Sequence, residues 1–147
     1  MRNLSLGFVV ACSIVVAVAA KMPTVKLTIA GPNLAKPIEL TDPKALLSGD
    51  VWEGNFIAAP AAEPDKALPR YAVSFYVAGS KEGEPAKIRY VVYYTRDPGS
   101  GDGYVYLPGP GEEWYRLNIG AILREGVDGK WHHASKNWSD AIAAALP

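Results

Sequence analysis

The sequence contains few of the residues that usually carry catalysis or bind metals. It has one cysteine, Cys12, and two histidines, His132 and His133, in 147 residues. A single cysteine excludes an internal disulfide framework and a cysteine-rich zinc site. The formal net charge is zero, which argues against a nucleic-acid partner, because nucleic acid is bound by a basic face.

Long apolar runs are also absent, apart from one at the amino terminus. Residues 4–20 follow Arg2, contain no charged side chain and end in small residues at positions 17–20. A basic start, an apolar middle and a small-residue end predict a signal peptide over residues 1–20. Two alternatives stay open: an uncleaved anchor, or a lipoprotein acylated at Cys12.

Cleavage of this signal would leave residues 21–147 as a single strand-rich globular domain. The mature chain would carry 14 basic and 15 acidic residues and no cysteine. Its near-neutral charge offers no electrostatic hold on anionic lipid. We therefore expect a periplasmic or secreted protein with no membrane span after cleavage, no nucleic-acid partner and no cofactor.

Period-two alternation of apolar and polar residues predicts β-strands along most of this domain. The clearest pair covers residues 70–78 and 87–96, which are joined by a segment of turn composition. Burial favours an antiparallel register with Val77 opposite Ile88. The same register pairs Phe75 with Tyr90, Val73 with Val92 and Tyr71 with Tyr94. The other face has mixed polarity, which predicts a central hairpin partly covered on both sides.

The remaining elements complete a mainly β fold, with α+β possible. Asp42 is predicted to cap a helical turn and Ser135 a C-terminal helix, while Asp128-Gly129 has the residue types of a tight hairpin turn. We expect seven or eight short strands in an antiparallel meander sheet, or in a small sandwich or open barrel, with one C-terminal helix. Further strands are predicted at 25–30, 37–41, 104–107, 113–118, 123–127 and 130–134.

The candidate catalytic residues are His132 and His133. As neighbours on a predicted strand they point to opposite faces, so they are poorly placed to bind one metal. We expect one to pack against the core beside Trp131 and the other to meet solvent.

The glycine-rich loop over residues 97–103 resembles a calcium loop in composition. Asp97 and Asp102 are its candidate metal ligands, yet the spacing does not fit an EF-hand and offers too few oxygens. The sequence therefore favours an ordinary hairpin loop and no metal site.

Aromatic residues are abundant, and rings on a β-surface beside carboxylates can stack on sugars or anchor a protein partner. Strands favour aromatic residues, so most of these rings, including that of Trp52, are expected in the core. Trp114 and Tyr115 are neighbours on a predicted strand, so only one of them can face inward. The candidate ligand-binding residues are Tyr104, Tyr106, Glu112, Glu113, Trp114 and Tyr115.

Three segments carry a resemblance: LTIAGPNLAKPIELTDP (27–43), YVYLPGPGEEWYRLN (104–118) and KWHHAS (130–135). Together they resemble a group of short exported bacterial proteins with no assigned function. The resemblance covers most of the chain beyond residue 20 and implies a bacterial envelope or secreted location. It supplies no catalytic residue.

These observations predict a non-enzymatic extracytoplasmic domain that binds a protein or a glycan through loops and an aromatic sheet face. The first alternative is a small hydrolase that uses His132 or His133 with a carboxylate. The second is a structural component of the cell envelope with no small ligand.

Overall fold

One antiparallel sheet dominates the computed structural model, which describes residues 22–46, 51, 60–123 and 126–147. Its strands lie in the order β2-β1-β3-β4-β5-β6. The strands are β1 (Thr24–Ala30), β2 (Ile38–Leu40), β3 (Tyr71–Val77), β4 (Lys87–Arg96), β5 (Gly103–Leu107) and β6 (Lys130–His133). The helices are α1 (Pro43–Leu46), α2 (Tyr115–Ile119) and α3 (Lys136–Ala145). The mainly β prediction is confirmed, but the described residues form six strands rather than seven or eight, in one open sheet.

The β3–β4 hairpin has most of the register that its apolar pattern predicts. Tyr71 pairs with Tyr94, Val73 with Val92 and Phe75 with Tyr90, as expected. The pairing then shifts, so that Tyr76 lies opposite Ile88 and Val77 opposite Lys87. Arg89 is the extra residue of this β-bulge. The predicted pairing of Val77 with Ile88 is therefore wrong.

The core lies between α3 and one face of the sheet, which we call the helix-covered face. Ser135 occupies the N-cap position of α3, which confirms the predicted C-terminal helix. Trp138 is 2% exposed, and its ring centroid lies 6.1 Å from that of Phe75 and 5.4 Å from that of Tyr94. The other buried residues of this core include Leu27, Ile29, Val73, Val92, Val105, Leu107, Leu123 and Ile142.

Helix α1 begins as the sequence predicts. The Asp42 carboxylate accepts a hydrogen bond from the Lys44 backbone N–H over 3.0 Å, while its carbonyl accepts one from Leu46. Side-chain capping of this kind satisfies backbone donors that have no partner inside the helix. Val51, which follows α1 in the chain, is buried and its carbonyl accepts a hydrogen bond from Ser135.

Helix α2 replaces the strand predicted at residues 113–118. Strand β5 ends at Leu107, so β4 has no strand neighbour on that side near Val91. The buried Asn118 side chain fills this position. Its amide Oδ1 accepts from Val91 N–H over 2.9 Å and its Nδ2 donates to the Val91 carbonyl over 2.7 Å. A side chain thus makes the two hydrogen bonds that a neighbouring strand would make.

The predicted strand at 123–127 and the predicted hairpin turn at Asp128-Gly129 are also wrong. Leu123, Gly126 and Val127 lie outside any strand, and residues 124–125 are outside the described part of the chain. Gly126 and Val127 have positive φ angles of 71° and 66°, which are incompatible with a strand. Strand β6 pairs with β5 instead, and Gly129 N–H donates to the Leu107 carbonyl over 2.8 Å.

The second side of the sheet, which we call the opposite face, is covered in part by residues 60–70. Ala61 N–H donates to the Trp131 carbonyl over 2.7 Å, and the Thr95 hydroxyl donates to the Pro69 carbonyl over 2.8 Å. Both Val91 and Thr95 are fully buried on this side. The prediction that the central hairpin is partly covered on both sides is therefore confirmed.

Candidate functional site

A row of aromatic rings crosses the opposite face over three neighbouring strands. Antiparallel pairing sets Tyr93 of β4 opposite Tyr106 of β5, and Tyr106 opposite Trp131 of β6. The ring centroids are 6.4 Å and 5.2 Å apart in these two pairs. The Arg70 guanidinium lies 4.9 Å from the Trp131 ring centroid. Cross-strand pairing therefore builds a continuous aromatic row with a cation at one end.

The loop after β5 brings a carboxylate against the centre of this row. Glu112 Oε2 accepts two hydrogen bonds, one from the Tyr106 hydroxyl over 2.7 Å and one from Gly109 N–H over 2.5 Å. Gly109 packs so closely on Gly129 that an added Cβ would lie 2.8 Å from the Gly129 Cα. Glycine at position 109 thus permits the loop conformation that fixes the Glu112 side chain.

The next two residues of this loop approach Tyr93. Trp114 has a left-handed backbone, with φ 72° and ψ −10°, immediately before α2. Burial has the largest effect on the pKa of the Tyr93 phenol and raises it, and the Glu113 charge and the Trp114 side chain also act on this pKa, in opposite directions. A non-glycine residue in this region is strained by about 1 kcal/mol or more, and such strain is often found at functional sites. We call the group formed by Tyr93, Tyr106, Glu112, Glu113 and Trp114 the aromatic–acidic surface.

The electrostatic environment of this surface is negative. Loss of hydration on burial, the hydrogen bond to Glu112 and the charges of Glu112, Asp128 and Glu63 raise the pKa of Tyr106 to about 12. Burial and the charge of Glu113 raise the pKa of Tyr93, and the hydrogen bond with Trp114 partly offsets this rise. Carboxylates disfavour phenolate formation because they repel a second negative charge.

The two carboxylates of the aromatic–acidic surface have no neutralising partner among the described residues. No described lysine or arginine lies within 4.0 Å of the carboxylate oxygens of Glu112 or Glu113. Several other carboxylates are paired: Glu39 with Lys26, Glu63 with Arg70, Glu84 with Lys87, and Asp140 with Arg96 and Lys136. The surface therefore combines partly exposed rings with two negative charges that no lysine or arginine of the described ranges neutralises.

Four of the six predicted ligand-binding residues lie on the aromatic–acidic surface, and the other two lie apart from it. Tyr106, Glu112, Glu113 and Trp114 converge as described. Tyr104 lies two residues before Tyr106 on β5 and opposite His133 of β6. The Tyr104 and His133 ring centroids are 5.3 Å apart. Tyr115 turns away, packs against the core and accepts a hydrogen bond from Val127 N–H over 3.1 Å.

Sequence reasoning missed Tyr93, Trp131 and Arg70 as members of this region. Closing the 97–102 loop as a hairpin aligns Tyr93 with Tyr106, so the sequence held a signal for the first of these. Placing Trp131 beside Tyr106 requires knowing that β5 pairs with β6, and these two strands are separated along the chain by α2. Trp52, the other tryptophan of the sequence analysis, lies outside the described residues.

The two histidines point to opposite faces, as predicted. His132 is 1% exposed, and its Nε2 lies 3.0 Å from Oδ2 of the equally buried Asp128 side chain. His133 is exposed on the opposite face beside Tyr104. The pair of His132 and Asp128 contains the carboxylate partner that a hydrolase would need. Because both side chains are buried, a substrate would not reach them without local opening.

The glycine-rich loop after β4 uses its polar groups to hold its own backbone. Asp97 Oδ1 accepts from Gly99 N–H over 2.7 Å, and the Ser100 hydroxyl oxygen accepts from Asp102 N–H over 3.2 Å. These are the side-chain-to-backbone bonds of Asx and related turns. A polar cavity of about 340 Å³ lies between this loop and α3. Within the described ranges, no three His, Cys, Asp or Glu side chains are grouped as a metal site.

Comparison with known proteins identifies no relative. No family model, curated protein or solved structure matches the chain. In the part of the chain that the structure covers, no helix has the length and apolar character to cross a bilayer. The exported location implied by the resemblance of the 27–43, 104–118 and 130–135 segments stays a prediction.

Proposed function

We propose that the protein is an exported binding module that holds its ligand on the aromatic–acidic surface. The observation that carries the proposal is the convergence of Tyr93, Tyr106 and Trp114, from three separate segments, with two carboxylates that have no lysine or arginine partner among the described residues. Rings of this kind give a large contact area at small cost in conformational entropy. The export signal proposed for residues 1–20 would place the surface outside the cytoplasm.

The preorganisation of this surface supports a binding role. Asn118 fixes α2 against β4, and Gly109 and Tyr106 fix the Glu112 carboxylate. A ligand would therefore meet groups that are already in position, which limits the entropy lost on binding. The reactive pair of His132 and Asp128 lies buried on the other side of the sheet.

Ligand-dependent stabilisation of the full chain tests this proposal. Melting temperature is measured with a panel of soluble glycans and of basic, acidic and neutral peptides. A ligand at 100 times its Kd adds about 2.7 kcal/mol to stability, which raises the melting temperature by several degrees.

Matched variants then locate the binding site. Trp114→Leu removes a ring of the aromatic–acidic surface, whereas Tyr76→Leu removes a half-buried ring from β3 at the far end of the same face. We expect Trp114→Leu to reduce the ligand-dependent shift and Tyr76→Leu to preserve it. An active ligand whose shift is unchanged by Trp114→Leu would contradict the proposal.

A further inference from the structure

The charge and geometry of the aromatic–acidic surface indicate the chemistry of its ligand. The described residues offer no lysine or arginine to Glu112 or Glu113, although several other carboxylates are paired within the molecule. An exposed carboxylate beside an aromatic ring attracts a cation in two ways, through its charge and through the negative face of the ring. The surface is therefore complementary to a positively charged group.

The Arg70–Trp131 contact is an example of this chemistry within the molecule. The Arg70 guanidinium lies 4.9 Å from the Trp131 ring centroid, and its Nη2 is 3.2 Å from Glu63 Oε1. At this end of the aromatic row, the Arg70 cation is therefore paired with both a ring and a carboxylate. Away from Arg70, Tyr93 and Tyr106 supply rings with centroids 6.4 Å apart and Glu112 supplies the carboxylate, but no described lysine or arginine supplies the cation.

The shape of the surface favours a polypeptide over a small molecule. Small ligands bind in concave cavities that bury most of their area. Two cavities lined by described residues lie elsewhere, one between α1 and α3 and one beside the 97–103 loop. A lysine or arginine side chain can instead lie along a flatter aromatic surface, while the rest of its chain supplies contact area.

We infer that the aromatic–acidic surface binds a basic polypeptide segment, whose lysine or arginine side chain lies against Tyr93 and Tyr106 and pairs with the neighbouring carboxylates of Glu112 and Glu113. This inference rests on the proposed function, since it names the partner of the same surface. It goes further in excluding an uncharged glycan as the preferred ligand. Glu112, already held by Tyr106 and Gly109, adds negative charge from a fixed position.

The test measures binding of defined peptides to the full chain by calorimetry, with the Trp114 indole N–H followed by NMR. The probes are a capped Gly-Lys repeat peptide and the matched Gly-Glu and Gly-Gln peptides. We expect the Gly-Lys peptide to bind and to shift the Trp114 signal, and the other two to bind at least tenfold more weakly, as a requirement for charge pairing predicts. Raising the salt concentration from about 0.01 M to about 1 M should weaken binding, because the Debye length shortens from about 30 Å to about 3 Å.

Matched charge variants separate a specific site from general attraction. Glu113→Gln removes one of the two carboxylates proposed to pair with the cation, whereas Glu82→Gln removes the same charge from the exposed β3–β4 loop. We expect Glu113→Gln to weaken Gly-Lys binding roughly three- to tenfold and Glu82→Gln to leave it unchanged. Equal effects of the two variants, or equal binding of Gly-Lys and Gly-Gln peptides, would overturn the inference.

A soluble neutral glycan tested in the same assay distinguishes failure of the inferred basic partner from failure of the proposed binding function. If the glycan shifts the Trp114 signal and the Gly-Lys peptide does not, the inference of a basic partner is wrong and the proposed binding surface stands. If no peptide or glycan shifts the Trp114 signal while one of them binds elsewhere on the protein, the inference and the proposed function both fail.

Discussion

The two faces of this sheet use the same aromatic residue types for different purposes. On the helix-covered face, Phe75 stacks on Tyr90 at 4.2 Å and lies beside Trp138, away from water. On the opposite face, Tyr93 and Tyr106 keep their hydroxyls near carboxylates and remain partly exposed.

The tyrosine hydroxyls of the two faces have different hydrogen-bond partners. Tyr94, which points to the helix-covered face, shares a hydrogen bond of 2.7 Å with the buried Ser139 hydroxyl. Tyr106 follows Val105, the cross-strand partner of Tyr94, and on the opposite face it donates to the exposed Glu112. The first bond satisfies polar atoms inside the core, whereas the second orients a charge at the surface. Under the proposed function, stability and recognition are assigned to opposite sides of one sheet.

The largest expected effect tests this assignment with one tryptophan from each side. Trp138→Ala leaves a cavity against Phe75 and Tyr94 and should lower the free energy of unfolding by about 3–5 kcal/mol. Trp114→Ala removes a ring that is only half-buried, and should cost about 1 kcal/mol. Urea denaturation followed by circular dichroism measures both. Equal losses would show that the two faces do not differ in this way.

The next effect concerns the residue that holds the aromatic–acidic surface in place. Asn118→Ala leaves the buried N–H and carbonyl of Val91 without their partner and should cost roughly 2–4 kcal/mol. The control, Asn137→Ala, changes an exposed asparagine in the first turn of α3 and should cost less than about 0.5 kcal/mol. The same urea titration compares them. A loss in Asn118→Ala no greater than in the control would mean that the Val91 bonds contribute little.

The smallest effect is a pH dependence specific to the opposite face. The pKa of Tyr106 is raised from 10.0 to about 12, so the folded state retains this proton more strongly than the unfolded state. The stabilisation is present below about pH 10 and is lost as the pH rises through about 12. Tyrosinate absorbance and alkaline unfolding, compared with Tyr106→Phe, measure it. Glu112→Gln should lower the pKa of Tyr106, and an unchanged value would contradict the role of that carboxylate.

The parts of the fold that were predictable from the sequence depend on local pattern. Alternation in β3 and β4 gives most of their register, because a one-residue slip would expose the apolar face. The caps at Asp42 and Ser135 are likewise local. The bulge at Arg89 was not predictable, because it depends on how the hairpin fits its neighbours rather than on alternation.

Helix α2 shows why the rest was missed. Residues 113–118 were predicted as a strand, yet most of them form a helix whose Asn118 side chain reaches Val91, 27 residues earlier in the chain. This tertiary contact outweighs the local pattern. The same misassignment misplaced Tyr115, which was predicted beside the ligand but packs against the core. The convergence of Tyr106, Glu112, Glu113 and Trp114 followed from their closeness in sequence, whereas Tyr93 required the sheet.

The Asn118 amide has a consequence for self-association. An unpaired strand edge is a template for another chain, through which β-proteins polymerise. Here the Asn118 side chain hydrogen-bonds the free backbone of β4 at Val91, and Ala61 N–H hydrogen-bonds the outer backbone of β6 at Trp131. The outermost strand, β2, is only three residues long. Loss of the Asn118 amide would therefore expose a growth point for aggregates as well as weaken the fold.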